Sequence, residues 1–135
     1  MTDAEKEPSG PIRLLLVDDE EGYVDVLAKR MSKRNIAVTS ANSGAQAIQT
    51  LRGDSFDAAV LDLKMEDMDG IEVLKIFKIM DPGMPVIMLT GHGSETAARE
   101  GLEYGAVDYL TKPCSLTELV EKIKRVRRKE RPAAR

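Results

Sequence analysis

Tryptophan is missing from these 135 residues, and two phenylalanines and three tyrosines hold the aromatic share to 4%. An interior must therefore be assembled from Val, Leu, Ile, Met and Ala. Cys114 is the single cysteine. That rules out an internal disulfide and suits a reducing compartment; no redox role is expected of a small residue after Pro113. No apolar run approaches the ~20 residues of a spanning helix. The opening MTDAEKEPSGP lacks the basic start and apolar stretch of a secretory signal. A net charge of -3 is too small to draw the whole domain onto nucleic acid or membrane, so neither is expected as a direct partner. The expected location is the cytoplasm. What is present, 42% hydrophobic and 32% charged residues, excludes a disordered chain, and the length suits one domain.

Short apolar runs alternate with stretches of helical spacing. Residues 1–11 read as a flexible leader. IRLLLV (12–17) is a strand stopped by Asp18 and Asp19, and residues 20–34 place Tyr23, Leu27 and Met31 at helical intervals. IAVTS (36–40) is a second strand. Ser43 caps a helix that ends at Gly53. DAAVL (57–61) leads to Asp62, then a loop and a helix through Ile71, Leu74 and Phe77 that closes at Asp81-Pro82-Gly83. PVIMLT (85–90) is the fourth strand, and Ser94 caps a short helix to about Tyr104. Val107 to Leu110 is the fifth strand. Ser115 and Glu118 form an S-x-x-E capping box that opens the last helix. Five apolar strands alternating with five helices predict an α/β domain, a doubly wound parallel sheet covered on both faces, over residues 12–129, with 130–135 as a basic tail.

In such a sheet the carboxyl ends of the strands share one edge, where ligands bind. Asp18 and Asp19 follow strand one, Asp62 strand three, Thr90 strand four and Lys112 strand five. Each has an ordinary reading on its own. Acids open helices, an Asp closing a strand is a solvated rim residue, Thr is a strand former, and Lys-Pro is a turn. Together they put three carboxylates, a hydroxyl and an amine on one edge. Carboxylates crowded in this way call for a hard divalent cation such as Mg2+. One of them can then act as a nucleophile toward phosphorus, while cations neutralise the transferring oxygens.

The runs LLLVDDEE (14–21), AAVLDLKMEDMDGIEVL (58–74), PVIMLTGHG (85–93) and GAVDYLTKP (105–113) resemble the receiver domain of two-component response regulators, with order and spacing agreeing over residues 12–128. The resemblance implies the flavodoxin-like strand order 2-1-3-4-5. It makes Asp62 the phosphoacceptor. Asp18, Asp19, Asp62 and the backbone carbonyl of Lys64 become ligands of Mg2+, with Mn2+ or Ca2+ as substitutes. Thr90 and Lys112 would contact phosphate, and Tyr109 would be an aromatic switch that turns inward when Thr90 engages it. Lys64 and His92 would tune phosphate lifetime, which we expect to be long, and the Lys112–Pro113 peptide bond would be cis. For His92 a solvated loop histidine without a role is the competing reading. Where the family loop carries proline, this chain has Glu66, which removes a φ restraint and predicts a looser loop.

The implied partners are a sensor histidine kinase or phosphotransfer protein upstream, and downstream a protein that reads the face of the fourth helix, fifth strand and fifth helix. The expected form is a monomer or a phosphorylation-dependent dimer, a signalling module that catalyses only its own phosphorylation and slow dephosphorylation. An aspartate-based phosphatase is the competing enzyme class, but it needs a second acid where Lys64 stands. A flavin or nucleotide binder would place a phosphate loop where Asp18-Asp19-Glu20 repels phosphate. A receiver cut from a larger regulator or hybrid kinase is equally compatible. From Lys122 to Arg135 there are eight Lys/Arg and one acid, Glu130, which read as a solvated helix end and tail, as a linker to an output domain, or as a docking segment for an acidic partner.

Overall fold

The computed structural model describes residues 10–91 and 95–130. The predicted leader, apart from Gly10 and Pro11, and the tail from 131 onward lie outside that range, as do His92 and the helix cap Ser94. Five strands and five helices alternate: β1 Ile12–Val17, α1 Glu21–Ser32, β2 Ile36–Ala41, α2 Gly44–Gly53, β3 Ala58–Asp62, α3 Gly70–Met80, β4 Val86–Thr90, α4 Glu95–Glu103, β5 Asp108–Thr111 and α5 Leu116–Val126. All neighbouring strands are parallel, in the order β2-β1-β3-β4-β5. The expected fold class and strand order are both present.

The strands read as unbroken apolar runs because each residue faces one of two buried layers. In β1, Leu14 and Leu16 point to one face and Leu15 and Val17 to the other, the two-residue period of a strand. The first layer joins Leu14, Leu16, Val60 and Leu89 to Val24, Leu27 and Met31 of α1 and to Leu119, Val120 and Ile123 of α5. The second joins Leu15, Val17, Leu61 and Met88 to Ala47 and Leu51 of α2 and to Val73, Leu74 and Phe77 of α3. With no tryptophan, Phe56 and Phe77 are the largest fully buried side chains, and aliphatic residues fill the rest. Each such buried aliphatic side chain contributes about 1.5–3 kcal/mol.

Local chemistry sets the helix starts. Ser43 Oγ accepts from Gln46 N, Asp69 Oδ1 from Ile71 N, and Ser115 Oγ from Glu118 N, each at 3.0 Å. Three strands begin one residue later than the sequence pattern suggests; at β4 the residue left out is Pro85, which has no amide hydrogen and offers only its carbonyl, to Ala59 N at 2.9 Å. Asp57 lies outside the ladder because its amide and carboxylate both turn to Arg13, whose carbonyl and amide lie 2.8 Å away. Val107 donates to the Val86 carbonyl but its side chain stands exposed, after the turn at Gly105 (φ +107°), and paired residues begin at Asp108.

The basic run after α5 is not solvated throughout. The Arg128 amide donates to the Asp57 carbonyl at 3.0 Å, and its guanidinium grips Asp81 with two bonds of 2.8 and 2.7 Å. This fork ties the chain after α5 to the edge of the sheet where β3 and β4 begin.

Candidate functional site

At the opposite edge the strand ends deliver their polar residues together. Asp18 follows β1, Asp62 ends β3 and Thr90 ends β4, and all three are buried. One carboxylate oxygen from each of Asp18, Asp19 and Asp62 lies within 4.8 Å of the others. Lys112, one residue beyond β5, places its ammonium 2.8 Å from Asp18 Oδ2, 3.4 Å from Asp62 Oδ2 and 3.6 Å from Glu20 Oε1. The carboxylates are further held by the backbone: Glu20 N donates to Asp18 Oδ1 and Lys64 N to Asp62 Oδ1, each at 3.0 Å.

Burial pushes the Asp62 carboxyl above its usual pKa, a push that the Lys64 amide and the Lys112 ammonium only partly offset. Burial also works against the charged form of Lys112, but the Asp18 hydrogen bond and the Asp62 charge outweigh it and raise its pKa. Both members of the Lys112–Asp62 contact are thus shifted toward protonation. The distances explain this: the ammonium sits closest to Asp18, which leaves Asp62 under-compensated. Three crowded carboxylates, only two of them in contact with an ammonium, fit a hard divalent cation with oxygen ligands, so the donor set passes the chemical test for Mg2+.

The loop between β3 and α3 is tied at several points. Gly70 N donates to the Leu63 carbonyl at 3.2 Å, Lys64 bridges to Asp69, and Asp67 accepts from Gly44 N at 2.9 Å and Ala45 N at 3.1 Å. Glu66 removes the family proline's restraint, and Asp67 supplies a different one by capping α2. A glycine is required at position 70: a Cβ there would meet Leu63 Cα at 2.4 Å, so α3 starts against the backbone that follows Asp62.

The remaining predicted residues surround this centre. Thr90 Oγ1 contacts the Leu110 carbonyl at 3.5 Å, the limit for such a bond. Tyr109 is half-buried against the layer that contains Met88. Lys64 is exposed. The Lys112–Pro113 peptide bond is cis. Two contributors escaped the sequence reading. Glu20 is a third carboxylate partner of the ammonium. Tyr23, assigned above to a helix face, places its ring 4.8 Å under Lys112 Nζ.

A sequence model of the response regulator receiver domain matches residues 14–124. The chain belongs to that family. Among curated relatives, this receiver is 37% identical over 113 residues to the transcriptional regulatory protein GlrR of Escherichia coli K12, covering 84% of this chain and 26% of that one. It is 35% identical over 121 residues to the response regulator MprA of Mycobacterium leprae, covering 90% and 53%. The chain thus spans about a quarter of the first relative's length and about half of the second's. A CheY-like receiver domain protein from Methanospirillum hungatei JF-1 superposes with a TM-score of 0.81 at 31% identity, covering 85% of this receiver and 92% of that chain. Receivers are signalling modules of two-component systems and work with histidine kinases. No helix among the described residues is long and apolar enough to cross a membrane.

Proposed function

We propose that this receiver takes a phosphoryl group on Asp62 from a histidine kinase or phosphotransfer protein and passes the signal on by reshaping the face of α4, β5 and α5. The observation that carries this reading is the convergence of Asp18, Asp19 and Asp62 within 4.8 Å, with the Lys112 ammonium against two of them, Asp18 and Asp62. Asp62 Oδ1 is held by the Lys64 amide, and Oδ2 keeps only the longer Lys112 contact, so Oδ2 is the freer oxygen to attack phosphorus. The new P–O bond forms as the P–N bond of the donor phosphohistidine breaks; the donor ring, protonated on its other nitrogen, takes the bonding pair and leaves as neutral imidazole. Asp18, Asp19, Asp62 and the Lys64 carbonyl would hold Mg2+, which when bound supplies charge neutralisation for the transferring oxygens. Lys112 stays beside the same oxygens and opposes their charge.

The product adds about -1.5 to -2 charges and strong acceptors at Asp62. The Thr90 hydroxyl gives up little when it leaves the Leu110 carbonyl, because that contact is already 3.5 Å long. It can therefore donate to a phosphoryl oxygen, and Tyr109, in the neighbouring strand β5, can turn inward. Lys64, exposed beside Asp62, would shield the acyl phosphate from water and prolong its life, a role that the family pattern gives to His92 as well.

Incubation with acetyl phosphate and Mg2+ tests the reading by intact-mass measurement. The wild type gains one phosphoryl group, Asp62→Asn gains none, and chelation of Mg2+ stops the gain. No gain in the wild type would overturn the assignment. A half-life of only seconds once acetyl phosphate is removed would overturn the shielding role.

A further inference from the structure

Lys112 is the one cation in contact with the acid cluster among the described residues, and its four-carbon stem does not by itself fix where the ammonium sits. Three carboxylates compete for it. Asp18 is fully buried and Asp62 nearly so, whereas the Glu20 side chain is 68% exposed and draws the ammonium outward toward water. On the remaining side stands the ring of Tyr23, its centroid 4.8 Å from Nζ. We infer that Tyr23 is a positioning residue for Lys112, its ring holding the ammonium over the Asp18–Asp62 pair and away from Glu20.

Tyr23 is suited to this because its backbone is anchored and its ring is packed. It is the third residue of α1, and α1 begins directly after the acid loop that the Glu20–Asp18 bond ties down. Its ring packs on the core layer of α1 and α5, and so does Cys114. The ring thus spans from the loop that carries Asp18 and Asp19 to the segment Lys112-Pro113-Cys114. A π face attracts an ammonium most strongly where water is thin, and Lys112 is largely shielded, with 21% of its side chain exposed.

The inference rests on the proposed role of Asp62 only for its rate measurement; a spectroscopic measurement stands apart from it. In the wild type, ring current from Tyr23 moves the Lys112 ε-methylene protons upfield of those of the other lysines. Tyr23→Phe keeps that shift and Tyr23→Leu abolishes it. With acetyl phosphate and Mg2+, Tyr23→Leu takes up phosphate ~3- to 30-fold more slowly, the range expected for a cation–π contact, while Tyr23→Phe stays near the wild-type rate. Adding Glu20→Gln to Tyr23→Leu removes the competing carboxylate and restores most of the lost rate, which a packing role alone would not produce. If Tyr23→Leu does not fold, Tyr23→Met takes its place, and the wild-type ε-methylene shift still decides. An unshifted Lys112 in the wild type, or a folded leucine or methionine variant that reacts at the wild-type rate, would overturn the inference. Failure of the wild type to accept phosphate while the ring-current shift is present would instead count against Asp62 and leave Tyr23's placement of Lys112 standing.

Discussion

The two edges of the sheet bury their aspartates to the same depth and treat them in opposite ways. At the edge where strands begin, Asp57 is 0% and Asp81 6% exposed; where strands end, Asp18 is 0% and Asp62 5% exposed. Asp81 receives a two-bond fork from Arg128, and Asp57 receives the Arg13 amide. At the other edge Asp18 and Asp62 share a single lysine, and Asp19 crowds beside them. Arginine's rigid fork matches a carboxylate and stays with it, whereas a lysine ammonium is a movable point charge. One edge is closed by its pairing. The other keeps an excess of negative charge that a cation, and then a phosphoryl group, can use.

The contrast can be broken most forcefully at the closed edge. Asp81→Ala strands the Arg128 guanidinium and should cost about 3 kcal/mol in urea unfolding, with Mg2+ binding at the far edge unchanged. Loss of Mg2+ binding in that variant would show that the edges are not independent. At the open edge, Mg2+ at a hundred times its dissociation constant should stabilise the wild type by about 2.7 kcal/mol, since it binds only the folded cluster. Asp19→Asn should blunt that gain; an equal gain in both proteins would remove Asp19 from the ligand set.

The smallest effect is expected at the rim, where the Gly44 and Ala45 amides hold the Asp67 carboxyl below its usual pKa. A depressed carboxyl adds stability above its unfolded pKa of about 3.9 and loses it as pH falls through the lower folded value. Asp67→Ala should therefore be less stable than the wild type at neutral pH, and the gap should narrow in strong acid. A gap that does not change with pH would mean that the charge on Asp67 plays no part.

Much of this was legible in the sequence. IRLLLV and AAVLD are strands whose apolar side chains alternate between two buried layers, and once the strands are parallel Asp18, Asp62, Thr90 and Lys112 must share an edge. Tyr23 was not legible as a neighbour of Lys112. Its helical spacing assigns it to packing, and nothing local shows that a lysine 89 positions later ends above its ring. Asp67 reads as a solvated loop acid until α2 is seen to start beside it. Arg128 sits in a run of like charges whose usual reading is solvation, and its partner lies 47 residues away. Strand and helix patterns are local, whereas these three contacts depend on where separate elements come to rest.

The Arg128 fork has a mechanical consequence for α5. The helix starts four residues after Lys112 at one edge of the sheet and ends beside a bolt at the other, where Arg128 joins both the Asp57 carbonyl and Asp81. A rod fixed at one end cannot slide. Any displacement that reaches α5 from Lys112 becomes a tilt about Arg128, largest at Ser115 and vanishing toward Val126.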